Sequence, residues 1–295
     1  MRFGQKISLA AAATAALLML GGCSAPAAEK LANGDEKKVT LAVFNGWDEG
    51  IAASELWRAV LTERGYDVTL KYADVAPVFA GLAANDYDFV LDSWLPVMHG
   101  EYLKKYGADV EDLGAWFPDG RLTIAVNADA PINTLEELQE HAGEFGNRIM
   151  GIESGASYMK AVQERLIPDY GLTDITLATS STPAMLAELK TALGKGENIA
   201  VTMWHPHWAY DAFELKDLPD PKGSLGETEG VHAVASGEFG TRFPTLHRWI
   251  SEFRMDGDTL NSLENAMFND RKGDLSELVR EWMDQNPEYV ATLAQ

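Results

Sequence analysis

One cysteine, Cys23, in 295 residues excludes an intramolecular disulfide, so the chain must be held together by its core. Basic residues are scarce as well. The 24 Lys and Arg face 45 Asp and Glu, a net charge of −21, and such a surface repels phosphate backbones, which excludes nucleic acid as a partner. The same charge attracts cations, although screening limits that pull to roughly 8–10 Å at ordinary salt, and solubility alone accounts for it. Histidines number six and do not cluster. His205 and His207 flank Pro206, but no third ligand is indicated and tryptophans stand on each side, so no metal site is expected. A phosphate-cradling glycine loop and a Gly-x-Ser-x-Gly elbow are both missing, and no cofactor is implied. Ser157 and Lys160 fit a serine–x–x–lysine pattern, which leaves an exported serine hydrolase as the alternative of another class. Its companion Lys-Thr-Gly and Ser-Asp-Asn motifs are absent, and the chain is not expected to be an enzyme.

Long apolar runs are confined to the beginning. Met1-Arg2-Phe3-Gly4-Gln5-Lys6 is basic, residues 7–20 are apolar but too short for a stable membrane span, and Gly21-Gly22-Cys23 follows. This describes a secretory signal over residues 1–22. Leu20-Gly21-Gly22-Cys23 further reads as a lipobox, in which Cys23 becomes the first residue and its thiol carries a diacylglycerol, anchoring an exported chain to a membrane. Residues 23–38 are small, polar and charged, and are expected to form a flexible tether.

From Val39 the pattern alternates between strand and helix. Val39–Phe44, Val68–Tyr72 and Phe89–Leu91 read as strands, with helices over Ile51–Arg64 and Val75–Ala84 between them. After a strand at Arg121–Val126, Asn133 or Thr134 can cap a new helix, and the alternation restarts through Arg148–Ile152, Tyr158–Ile167, Ile175–Ala178, Pro183–Leu193 and Ile199–Met203. Leu218–Glu229 reads as a returning connection, and the remainder as mostly helical. The rhythm predicts an α/β chain of two lobes, each a parallel sheet covered by helices, with a ligand cleft between them. Lobe I is expected over residues 39–123 and, after the return, 225–295; lobe II over 124–224.

Eight tryptophans are present. Trp57, Trp249 and Trp282 sit in helical patterns and are expected to pack, while Trp116 is placed in a loop. Trp47, Trp94 and Trp204 each follow a predicted strand and come from both lobes, so they should meet in the cleft. Their π faces suit a cation that cannot donate hydrogen bonds, since a trimethylammonium group offers only diffuse charge and methyl surface. Gly50 and Ile51 open the first helix, where backbone N–H groups form a natural anion site. Asp48 and Glu49 in the same turn complement the helix dipole or face a bound cation. His207 could add a hydrogen bond from the second lobe, and Tyr158 either completes the cage or packs.

The segments Gly46-Trp47-Asp48-Glu49-Gly50-Ile51-Ala52, Ser93-Trp94-Leu95-Pro96, Gly151-Ile152-Glu153-Ser154-Gly155-Ala156, Ser180-Ser181-Thr182-Pro183-Ala184-Met185 and Trp204-His205-Pro206-His207-Trp208 together resemble the glycine betaine and choline binding proteins of ABC transporters. The resemblance spans essentially the whole mature chain. It implies a type II periplasmic-binding-protein fold, closure of two lobes on a betaine-like quaternary ammonium ligand, and delivery to a cognate permease; the protein is expected to be a monomer. It also places Trp47, Trp94 and Trp204 on cage positions and a carboxylate contact at Gly50 and Ile51. Choline-specific relatives carry an asparagine where this sequence has Met159, a departure that favours a betaine over choline; a choline- or carnitine-binding protein of the same fold is the alternative.

Overall fold

The computed structural model describes Met1 and residues 28–269 and 272–295. The expected signal, Cys23 and the start of the tether therefore lie outside the described residues. What is described of the tether is docked: Lys30 bridges Glu36, and the buried Asp35 carboxylate accepts hydrogen bonds from the Tyr66 hydroxyl (2.5 Å), Thr245 N (2.8 Å) and Leu246 N (2.9 Å). Asp35 thereby satisfies first-turn amides of the helix Pro244–Glu252, so residues 30–38 are docked where a flexible tether was expected.

The strands are β1 (Lys38–Phe44), β2 (Asp67–Ala73), β3 (Phe89–Leu95), β4 (Val110–Asn127), β5 (Arg148–Met150), β6 (Thr176–Ala178), β7 (Ala200–His205), β8 (Leu215–Leu218) and β9 (Glu229–Ser236). They form one sheet in the order β2-β1-β3-β9-β4-β7-β5-β6, with β8 on β4. The α/β class holds, but the sheet is mixed rather than parallel. β1 runs parallel to β2 and β3, and β5 runs parallel to β6 and β7; β9 is antiparallel to β3 and β4, and β4 is antiparallel to β7 and β8.

The 18-residue strand β4 joins the two halves of this sheet. Its residues up to Gly120 pair with β9, and from Arg121 onward they pair with β7 and β8. The chain returns from β8 to β9 through residues 219–228. Three strands were not expected: the first half of β4, where Trp116 is placed in a loop, β8, and β9, inside the stretch assigned mostly to helix. Trp116 accordingly lies in β4, not in a loop. It is fully buried, donates from Nε1 to Leu91 O (2.6 Å), and stacks on Phe253 with ring centroids 5.2 Å apart.

Helix starts obey local chemistry. Thr134 caps Leu135–Glu140 in a capping box with Glu137, and Ser181 caps Thr182–Lys195, which has Pro183 in its first turn and ends on Gly196 at φ 68°. The helix α1 (Asp48–Glu63) has Trp47 at its N-cap position without a side-chain cap. Trp57 on α1 is buried against Phe253, Trp282 is buried, and Trp249 is half-buried. Among the described residues, no helix is long and apolar enough to cross a membrane.

Candidate functional site

β3 and β7 lie in different halves of the sheet, and each carries a buried tryptophan near its carboxyl end. Trp94 and Trp204 belong to the strands themselves, which run longer than their apolar cores suggest. Shortly after each tryptophan the chain passes a cis X-Pro bond, Leu95-Pro96 and His205-Pro206. Trp47 reaches the same place from the turn between β1 and α1, with its ring stacked on His99 (5.5 Å, 16°) and edge-on to Phe44 (5.4 Å).

These three indoles line a small cavity of about 10 Å³ together with Glu49, Met98, Leu122, Ile152 and Tyr158. Tyr158 is buried, and its hydroxyl lies against the carbonyls of Thr123 and Met203, to which it donates. Met98, Leu122 and Tyr158 also line a wider groove of about 330 Å³ that holds Glu101, Lys160 and Arg165. Ser157 and Lys160 are on the wall of this groove. Among the described residues, no hydrogen bond joins them.

Glu49 is the charged member of the cavity wall. Its Oε1 accepts from Trp94 Nε1 (3.2 Å) and its Oε2 from Trp204 Nε1 (3.0 Å), while Trp94 Nε1 also donates to Asp92 Oδ1 (3.0 Å). Burial, reinforced by the Asp48 charge, raises the Glu49 carboxyl from its ordinary range to about 7, against the pull of its own backbone amide and the two indole donors. Asp92 is pushed well up by burial and by the Glu49 charge, and Glu264 by burial and the charges of Glu49 and Asp48.

The remaining expected residues surround the cavity rather than line it. Asp48 Oδ2 accepts from Trp208 Nε1 (2.6 Å) and Glu264 Oε2 from Trp208 N (2.8 Å), so two further acids grip the segment after β7. His207 is buried edge-on to Trp204 (4.7 Å, 77°); its Nδ1 accepts from Ala209 N (3.0 Å), and its Nε2 has no partner. Burial, with some help from His205, lowers its pKa to about 3, so the ring is neutral. Ile51 N–H is already donated to Trp47 O (3.0 Å), the first helical bond of α1, and the Glu49 amide is engaged by its own carboxylate. Gly50 presses against β3: a Cβ there would come 2.3 Å from Asp92 Oδ2. Met159 puts its sulfur 3.3 Å from Ile152 N and packs on Gly151, behind the cavity. Among the described residues, no group of three potential metal ligands exists.

Against known proteins, a sequence model of the substrate binding domain of ABC-type glycine betaine transport systems matches residues 37–285. The chain belongs to this family. The glycine betaine/carnitine transport binding protein GbuC of Listeria monocytogenes is 33% identical over 165 residues, which covers 55% of this chain and 53% of that protein. Among solved structures, lactococcal OpuAC, closed on glycine betaine, superposes with a TM-score of 0.80 at 27% identity, covering 88% of this chain and 100% of that one. The glycine betaine/L-proline-binding protein ProX of Borrelia burgdorferi follows at 0.79 and 25%, with 88% and 97% covered. The fold is therefore that of the substrate-binding proteins of ABC-type glycine betaine transporters, and the family resemblance seen in the sequence is confirmed.

Sequence reasoning reached the three tryptophans because aromatic residues beside strand ends are conspicuous. It underrated Glu49, read chiefly as a dipole-complementing acid, although its position two residues after the cavity-lining Trp47 was a usable signal. Met98, Leu122 and Ile152 gave none, since an apolar wall residue looks like any core residue.

Proposed function

We propose that this chain captures a glycine betaine-type quaternary ammonium compound between its two lobes and delivers it unchanged to an ABC permease. The observation that carries the reading is the cavity at the seam of the sheet, walled by Trp47, Trp94, Trp204 and Glu49. Indole faces and a carboxylate desolvate and stabilise a trimethylammonium group without demanding a hydrogen bond from it. For the carboxylate of a betaine, the Gly50 amide at the start of α1 and the unpartnered Nε2 of His207 are the supporting donors, and Tyr158 completes the aromatic lining. Ile51 contributes by position, its amide being held by Trp47 O.

The lobes are residues 39 to about 120 with 225–295, and the intervening part of the chain; the change of partners along β4 supports a first crossing at Gly120–Arg121. The protein works as an exported monomer held at the membrane by a lipid on Cys23. Incorporation of labelled fatty acid, lost in Cys23→Ala, tests the anchor. Titration calorimetry against glycine betaine, proline betaine, carnitine and choline tests the ligand class. A folded sample that responds to none of them refutes the reading.

A further inference from the structure

Glu49 divides its two oxygens between the halves of the molecule: Oε1 takes the indole N–H of Trp94 on β3, and Oε2 takes that of Trp204 on β7. An indole nitrogen only donates, and with one indole on each oxygen this placement suits a carboxylate, whereas an amide would face one of the two with its own NH2 donor. We propose that Glu49 is the positioning and specificity residue of the cage, tying the Trp94 and Trp204 walls together across the seam and setting by its charge the preference between monocationic and zwitterionic quaternary ammonium ligands. The proposal rests on the ligand class proposed above.

The groups that act on Glu49 come from every neighbouring element. Asp48 shares its helical turn, Asp92 faces it from β3, Glu264 acts from the helix Gly257–Phe268, and His207, beyond Trp204, is neutral. Without a ligand, the acids and the burial favour a protonated Glu49, which is held near 7. A monocation in the cavity has the opposite effect and favours the carboxylate. Capture then reads as Glu49–COOH plus cation giving the carboxylate–cation pair and one proton released to solvent; no covalent bond other than O–H changes. A zwitterion brings its own carboxylate, so its net field at Glu49 is weaker and it expels less of a proton. Linkage gives the sign. Because the bound-state pKa lies below the free one, monocation affinity climbs with pH, by up to about tenfold per unit, until the free-state value near 7 is passed, and then levels off.

The test is titration calorimetry of choline and glycine betaine, from about pH 5.5 to about 8.5, in buffers of different ionisation enthalpy, with wild type and Glu49→Gln. Expected are proton release and a rising affinity for choline, a flatter profile for glycine betaine, and in the variant a flat profile for both with the affinity ratio moved toward the betaine. Choline binding without proton release, or an unchanged ratio and pH profile in Glu49→Gln, overturns the proposal. Should the variant fail to fold, the proton count of the wild type decides alone. A folded wild type that binds neither ligand overturns the ligand class itself, which separates the two failures.

Discussion

Adding one methyl group at Gly50 should destabilise the protein, against the usual gain of a Gly→Ala change in a helix. The new Cβ would lie 2.3 Å from Asp92 Oδ2 and 2.6 Å from Asp92 Cβ and Cγ. Neither side yields readily: Gly50 belongs to α1, and the Asp92 side chain is buried on β3 with Oδ1 held by Trp94 Nε1. Overpacking of this kind costs about 1–3 kcal/mol, while helix propensity returns at most about 1 kcal/mol in a helix interior and less in its first turn. The net loss of about 1–2 kcal/mol corresponds to a melting temperature lower by about 2–8 °C for a chain of this size. Removing Oδ1, Oδ2 and Cγ with Asp92→Ala leaves the contact at Cβ, so the double variant should recover only part of the loss, with a coupling of about 0.5–2 kcal/mol in a double-mutant cycle. Scanning calorimetry and urea unfolding of the four proteins measure all of this. Because the displaced turn carries Glu49 and adjoins Trp47, ligand affinity should fall together with stability. A Gly50→Ala protein that melts at or above the wild type, or an Asp92→Ala background that leaves the penalty untouched, would refute the placement of α1 on β3.

Trp94→Ala should weaken quaternary ammonium binding by more than about 1 kcal/mol, at least about fivefold, if the cation–π account is right; a fluorescence titration showing an unchanged affinity contradicts it. Glu264 is buried, with Oε1 unpartnered and its pKa raised above the unfolded value, so its contribution is present at low pH and is lost as pH rises through the folded pKa. Glu264→Gln should therefore gain on the wild type in urea unfolding between acid and mildly alkaline pH, and parallel stability–pH curves would count against the assignment.

The early strand–helix alternation was legible because β1 is mostly apolar, β3 opens on Phe89-Val90-Leu91, and α1 shows a helical stripe. β9, with the sequence Glu-Gly-Val-His-Ala-Val-Ala-Ser, was not: its small residues fit between two antiparallel neighbours, and that neighbourhood cannot be read from the segment itself. The same applies to Glu49. Its local context, an acid in a first helical turn, has a sufficient explanation in the helix dipole, and only the arrival of Trp204 from a strand 155 residues away gives it a second role. Cage aromatics are recognisable one at a time, whereas a bridging carboxylate is defined by what it bridges.

Gly120 is the last residue of β4 paired with β9, and the next residue already pairs with β7. A side chain there would meet the Trp94 ring at 2.7 Å and the Glu229 carbonyl at 3.0 Å, so the indole rests directly on the backbone at the point of crossing. If the lobes turn about this point, pivot and cavity-wall ring form one mechanical part with no slack between them. Opening angle and cage geometry then become a single coordinate. Trp94 emission would report how far the clamp is open even before a ligand arrives, and substitutions at residue 120 would change affinity and opening together.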